Sequence, residues 1–407
     1  MKNKLLITVA LFIGFLTKAQ SLQEYLNSAA ANNPALQAMQ YNYESALEKV
    51  NEVGSLPNTT IGAGYFVQEA ETRVGAQKAK LSISQMMPWF GTLEAKKESA
   101  SFKAQAQLNS IDFVKRKLFL TIKTTYYQLF ELTIKERILK EHIQILKTFE
   151  ELALNQLENN SATMVDVLKI RMEKNELSNK LSTVLAQLKA KQIAFNLILN
   201  REEHLSVNIP KNIQILDTAL VFQKELISEN PQLLKLDNLQ SALEKSELAT
   251  KKAGLPTIGF GLDYVFVENR AVENLVENGK DIIMPMVTIS VPLFSKKYSS
   301  KQKQLKLEQK AVEATKVATG NQLVTLFEKA MANLKNAKGS IKTQIANIKQ
   351  AEQVQKVLLA AYQTSKLDFE QLLEVQQLKL KFQLNMVTSE KEYAIQKATI
   401  EFLTTTN

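Results

Sequence analysis

Apolar positions along this chain follow two periods. Through most of its length they recur every three or four residues, as in Leu118, Ile122, Leu129 and Leu132, then Ile138, Ile145, Phe149 and Leu152. That is the stripe of a helix packing on its neighbours in coiled-coil fashion. In two short windows the period drops to two, the signature of strands. Ile61, Ala63, Tyr65 and Val67 alternate with Gly62, Gly64 and Phe66, and Leu81 and Ile83 alternate with Ser82 and Ser84. Ile258, Phe260, Leu262, Tyr264 and Phe266 alternate with Gly259, Gly261, Asp263 and Val265, and Val287, Ile289, Val291 and Leu293 alternate with Thr288, Ser290 and Pro292. Each window therefore predicts two strands of roughly ten residues joined by a polar loop, at 69–78 and 269–280.

Around the windows the pattern predicts helices over 22–54, 93–158 and 163–199, and again over 224–253, 296–364 and 369–403. The 66 residues of 93–158 make a helix about 100 Å long at 1.5 Å per residue. In the first half the two shorter helices together count 70 residues against 66 in the long one; in the second, 65 against 69. Two short helices stacked end to end match one long helix in each half. This describes a long helical tube wall with strand hairpins emerging at one end. Asn159, Asn160 and Ser161 break the first half between its long and last helices, and residues 365–368 break the second; Asn tolerates the left-handed backbone that a tight reversal needs.

The breakers sharpen this picture. The chain has 12 Gly and 8 Pro in 407 residues, far fewer than the roughly 12% of average usage. Nine of those Gly and five of those Pro lie in residues 54–91 and 254–292. The two windows also match in sequence and order. Asn33-Pro34 corresponds to Asn230-Pro231, Ser45–Lys49 (SALEK) to Ser241–Lys245, and Leu56-Pro57 to Leu255-Pro256. Ile61–Gly64 (IGAG) corresponds to Ile258–Gly261 (IGFG), and Pro88-Trp89-Phe90 to Pro292-Leu293-Phe294. Five weak matches in one order indicate an internal duplication, with repeats over 20–209 and 210–407.

Composition then excludes chemistries. There is no Cys, which removes disulfides, thiolate metal sites and thiol nucleophiles. His142 and His204 are the only histidines, too few for a His-rich metal site or a Ser–His system. Gly62-Ala63-Gly64 and Gly259-Phe260-Gly261 lie inside strand patterns and are not phosphate loops. No catalytic residue, cofactor site or metal site is predicted, and an enzyme is not expected. Residues 1–19 carry Lys2 and Lys4, then an apolar stretch over Leu5–Thr17, then small residues at Thr17 and Ala19; this pattern predicts a secretory signal peptide. The net charge of +10 lacks the concentrated patch of a nucleic-acid binder.

Export changes how the strands are read. Roughly ten alternating residues is the length of a tilted membrane-spanning strand. Tyr65, Trp89, Phe90, Tyr264, Phe266 and Phe294 lie toward strand ends, where an aromatic girdle belongs. Four strands cannot close a barrel, and an open edge in lipid leaves backbone groups unpaired at several kcal/mol each. The chain must therefore join copies of itself: two give 8 strands and three give 12, and periodicity does not choose. The other reading is a pair of soluble hairpins packed on helices, in a periplasmic coiled-coil adaptor or structural protein.

With these residues in place the chain resembles the TolC family of trimeric outer-membrane efflux proteins over nearly all of residues 20–407. The resemblance rests on the duplicated order of elements, the Asn-Pro and Leu-Pro starts, and the endings Ile83–Gly91 (ISQMMPWFG) and Ile289–Phe294 (ISVPLF). It implies a mainly α fold with a β-barrel portion. Four strands per chain would form a 12-stranded barrel shared by a homotrimer, continued by an α-helical barrel through the periplasm. It further implies a passive duct of an efflux or type I secretion system, working with a periplasmic adaptor and an inner-membrane pump. By the same resemblance Asp166, Tyr362, Gln371 and Glu374 belong to a periplasmic aperture, with an Asp166–Tyr362 hydrogen bond holding it shut and Glu374 forming an acidic ring. Asn159, Asn160, Ser161, Ser365 and Lys366 are the tips that meet the adaptor. Gln371 and Ser365 stand where the family usually has Asp and Gly, which predicts weaker cation selectivity. The cargo, metal ions or drugs, stays open: Met86-Met87 and Met284-x-Met286 offer thioethers for soft cations, but Met equally fills apolar gaps.

Overall fold

A computed structural model describes residues 22–159, 162–215, 222–363 and 369–404. The expected signal peptide and the tip residues Asn160, Ser161, Ser365 and Lys366 lie outside them. In chain order the elements are α1 (Leu22–Asn32), α2 (Pro34–Gly54), β1 (Thr60–Thr72), β2 (Gly75–Met87), α3 (Thr92–Glu158) and α4 (Met164–Ile198). After a short 3-10 helix (Lys224–Glu229) come α5 (Pro231–Ala253), β3 (Thr257–Val267), β4 (Ile282–Ser290), α6 (Lys297–Gln363) and α7 (Phe369–Thr404).

Three boundaries differ from the sequence reading. The helix expected over 22–54 is broken at Asn33, and that expected over 224–253 is regular only from Pro231. Both changes fall at Asn-Pro. Proline disfavours the α conformation in the residue before it and lacks the N–H that continues a helix, so it suits the first helical position. Asn230 caps α5, its side chain accepting from the Gln232 N–H at 3.0 Å. The loop expected over 69–78 shrinks to Arg73-Val74, because β1 and β2 stay paired through Ala70↔Gln77, Glu71↔Ala76 and Thr72↔Gly75. The polar residues that suggested a loop satisfy one another across strands: Lys78 pairs with Glu69 and, at 2.5 Å, with Glu268. The second loop, between Val267 and Ile282, is long as expected.

The chain divides into two compact units. One holds α2, the four strands, α5 and residues 92–114 and 297–325 of the long helices. Its strands form one antiparallel sheet in the order β1-β2-β3-β4, so β1 and β4 are open edges. Its helices meet through small residues: Ser99 Oγ donates to the Ala242 carbonyl at 2.8 Å and shares a 2.8 Å hydrogen bond with Ser246.

The other unit holds α1, α4, α7 and the remaining parts of α3 and α6. One core packs Tyr25, Leu26 and Ala29 against Ile122, Tyr126, Leu129, Phe195 and Leu199. The Tyr25 and Phe195 rings meet edge-on at 5.1 Å, and both Tyr25 and Tyr126 hydroxyls bond the backbone of Asn208. A second core runs along the α3 stripe, with Ile138, Leu146 and Phe149 against Ile170, Tyr362, Phe369 and Leu372.

Candidate functional site

The sheet sorts its residues by chemistry. Register places Ile61 beside Ile83, Leu262 and Pro285, and Phe260 beside Gln85 and Val287, all on one face. On that face Ile61, Leu81, Ile83, Phe260, Leu262, Ile283, Val287 and Ile289 are all exposed. The opposite face carries Gly62, Gly64, Lys80, Ser82, Ser84, Gly259, Gly261, Asp263 and Thr288, together with Met86, Val265, Ile282, Met284 and Met286. There the fully buried Asp263 carboxylate is paired with Lys80. An exposed face that is almost wholly apolar, with the glycines, serines and charged pair of the sheet gathered on its reverse, is the inverse of a soluble sheet, which hides its apolar side. It is the pattern of a lipid-facing barrel wall.

The aromatic residues fall into two rows. Tyr65 and Phe266 flank Ala79 in one row across three strands, and the Tyr264 ring lies 4.9 Å from that of Phe266. Trp89, Phe90 and Phe294 lie beyond the other ends of the strands, next to α3 and α6. From Ala79 to Met87 is eight steps along β2, about 27 Å at 3.4 Å each. Tilted by about 35–45°, a strand of that length rises about 20 Å, most of an apolar band about 25 Å tall.

The aperture candidates belong to the all-helical unit. Thr163 and Asp166 form a reciprocal cap at the start of α4. The Asp166 carboxylate accepts from the Thr163 N–H at 2.9 Å and its hydroxyl at 2.7 Å, and the Asp166 N–H returns to Thr163 Oγ1 at 3.3 Å. The Tyr362 ring is buried, 5.4 Å from Phe369, which is itself 5.8 Å from Phe149. Its hydroxyl has no hydrogen-bond partner among the described residues. Burial, then the nearby Asp166 charge, raise its pKa. The Asp166 charge is felt at Tyr362, but among the described residues the Asp166 carboxylate serves the Thr163 cap and the Tyr362 hydroxyl is not bonded to it. Gln371 and Glu374 stand exposed one helical turn apart on α7, opposite the buried Leu372, Leu373 and Gln376. Lys169 reaches Glu370 at 3.0 Å and Gln377 reaches Glu173 at 2.8 Å, tying α4 to α7. Asn159 is exposed at the end of α3, its amide bonded to the Asn155 carbonyl at 2.8 Å.

Sequence reasoning missed one polar constellation. His142 is buried between helices, bonded through Nε2 to Gln383 Oε1 at 2.6 Å and through Nδ1 to Gln376 Nε2 at 2.8 Å. Gln376 accepts in turn from Gln355 at 2.5 Å, whose carbonyl takes the Lys379 ammonium at 3.4 Å. Burial lowers the His142 pKa. The signal was present in the stripe Ile138, Ile145, Phe149: position 142 is the seam position it skips.

Solved structures place this arrangement. The chain superposes on the outer-membrane channel OprN with a TM-score of 0.80 at 14% identity, covering 94% of this chain and 89% of that one. It superposes on the MtrE outer membrane channel of Neisseria gonorrhoeae at 0.75 and 13% identity, with 94% and 88% covered. For the outer membrane protein VceC of Vibrio cholerae the values are 0.76 and 12%, with 94% and 95% covered. The chain has the fold of these outer-membrane channels. The mainly α fold with one four-stranded antiparallel sheet, expected from the resemblance, is what the structure contains. No protein-family profile and no curated protein matches the sequence. Among the described residues no helix is long and apolar enough to cross a membrane.

Proposed function

We propose that this protein is an outer-membrane efflux channel, a passive duct with no chemistry of its own that reaches from the outer membrane into the periplasm. The observation that carries the reading is the sheet: four strands with an exposed apolar face, a mixed reverse that holds the glycines, serines and the Lys80–Asp263 pair, and two unpaired edges. In lipid those edges must be paired. Joining β4 of one copy to β1 of the next pairs them all, and three copies, as the resemblance implies, close 12 strands. Residues 1–19 direct export and are removed. Residues 20–209 and 210–407 are the two structural repeats, each contributing one hairpin to the wall. Tyr65, Tyr264 and Phe266 form the outer aromatic row, and Trp89, Phe90 and Phe294 the inner one.

The helix reversals then form the periplasmic aperture. The Tyr362–Phe369–Phe149 stack holds the reversals together, and Gln371 and Glu374 face the passage. Repeated around the ring, Glu374 is an acidic constriction favouring cations, weakened by the neutral Gln371. Freeing Asp166 from its cap lets it take the Tyr362 hydroxyl, which fastens the closed state. Asn159, Asn160, Ser161, Ser365 and Lys366 are the surface for a periplasmic adaptor, which connects the duct to an inner-membrane pump.

The test is reconstitution of the full chain in planar bilayers. Stable single-channel steps, with conductance raised in Tyr362→Phe/Asp166→Ala, support the duct and its aperture. Conductance unchanged in the double variant refutes the aperture assignment, and absence of conducting insertions refutes the duct.

A further inference from the structure

The junctions between sheet and helices carry a charge pattern that the duct reading leaves unused. The sequence contains three Lys-Lys dipeptides, Lys96-Lys97, Lys251-Lys252 and Lys296-Lys297. The first lies in the second turn of α3 after β2, the second ends α5 before β3, and the third opens α6 after β4. Packing brings these junctions together through three glycines. A side chain at Gly54 would meet the Lys97 side chain, one at Gly91 would meet Lys252 Nζ, and one at Gly254 would meet the Tyr298 ring.

Five of the six lysines are exposed and Lys252 is half-buried. None of the six forms an ion pair among the described residues. From Val291 to Leu307 the chain carries five Lys and no acidic residue. The far ends of the strands are different: there Lys78 pairs with Glu69 and Glu268, Arg270 with Glu71, and Lys280 with Glu277.

Lys296 and Lys297 also sit at the start of α6, whose first turn holds no acidic residue. The positive end of a helix repels cations, so this placement costs stability; Lys297 Nζ lies 5.8 Å from the Tyr298 ring centre, and neither lysine meets an acidic side chain among the described residues. Beside them the apolar face continues outward through Val291, Leu293 and Phe294. Phe294 is fully exposed and holds a left-handed backbone, with φ at 59°. A bulky residue in that region is strained, and such strain persists where a function requires it. Phe90, 80% exposed, occupies the matching place in the first repeat.

We propose that this collar of lysines under two outward phenylalanines is a docking surface for anionic phospholipid headgroups of the periplasmic-facing leaflet. The rings enter the acyl boundary while the ammonium groups hold the phosphates. A lipid suits this place because the unpaired charge borders an exposed apolar band, and rings with cations beside them are the usual anchors at a membrane interface. Near an anionic surface each Lys contributes about 1 kcal/mol, roughly five-fold in association. The inference rests on the membrane reading of the sheet.

The test uses the full chain in nanodiscs of phosphatidylcholine alone or with one-third phosphatidylglycerol, comparing thermal midpoint and retained lipid by native mass spectrometry. Wild type is expected to melt higher and keep phosphatidylglycerol in the mixed discs, an advantage lost at high salt. Lys252→Gln/Lys296→Gln/Lys297→Gln is expected to lose the advantage, with lipid retention falling more than ten-fold, while Lys189→Gln/Lys191→Gln on α4 keeps it. Equal behaviour of wild type in both discs, or an advantage surviving in the triple variant, overturns the proposal. Bilayer conductance in phosphatidylcholine is measured in parallel. A chain that conducts but ignores phosphatidylglycerol refutes the docking surface alone, whereas one that fails to insert refutes the membrane reading with it.

Discussion

His142 on α3 and Gln383 on α7 share a 2.6 Å hydrogen bond inside the helical unit. The Gln376 amide occupies the other ring nitrogen, so Nδ1 accepts and Nε2 carries the hydrogen. Protonation would set a ring N–H against that amide. Turning Gln376 over would only pass the conflict to Gln355 and then to the Lys379 ammonium. The chain of bonds therefore runs one way and holds the imidazole neutral.

The folded state thus binds a proton less readily at His142 than the unfolded chain, whose ordinary value is 6.5. Stability from this group is full above that pH. It is lost as the pH falls below it, because the unfolded chain takes up a proton that the folded one refuses. Thermal midpoints should fall between about pH 7 and about pH 5 more steeply in wild type than in His142→Gln, which keeps a donor and an acceptor without titrating. Parallel pH profiles in the two proteins would refute the assignment.

Thr163 and Asp166 satisfy each other at the start of α4. Thr163→Ala should lower stability by about 1 kcal/mol, the usual loss of an N-cap. It also frees the Asp166 carboxylate beside Tyr362, so single-channel conductance should fall if that carboxylate fastens the closed aperture. Loss of stability with unchanged conductance would leave Asp166 a cap only.

Val287 and Thr288 are neighbours on β4 that face opposite ways. Arg at 287 should destabilise the inserted protein by about 2–4 kcal/mol, the cost of a cation on the lipid face near the midplane. Thr288→Arg should be tolerated and should shift conductance instead. Equal effects in urea titrations of bilayer-inserted protein would contradict the facing of the sheet.

Gly75 and Gly64 separate backbone need from composition. At Gly75 φ is +144° and a Cβ would meet the Glu268 carbonyl oxygen; at Gly64 nothing lies within 4 Å. Gly75→Ala should abolish or greatly lower the yield of folded protein in membranes, whereas Gly64→Ala should match wild type.

The elements were legible along the chain. Period-three-to-four stripes marked α3, α4, α6 and α7 almost to the residue, since long helices leave many turns to reveal their phase. Paired Asn-Pro and Leu-Pro sites and repeated glycines predict an internal duplication. Polar character misplaced the first hairpin loop: Glu69, Glu71 and Lys78 look like loop residues until a partner strand supplies their counterions. Which residues meet was not legible there and came from packing. The register put Asp263 against Lys80 and sorted the two faces of the sheet. Packing buried His142 between Gln383 and Gln376 and, among the described residues, left the Tyr362 hydroxyl without a partner. It also gathered three distant Lys-Lys pairs around the strand ends. Periodicity is a property of one element and is written along the chain. These meetings join residues tens to hundreds of positions apart, and they depend on how helices and strands pack.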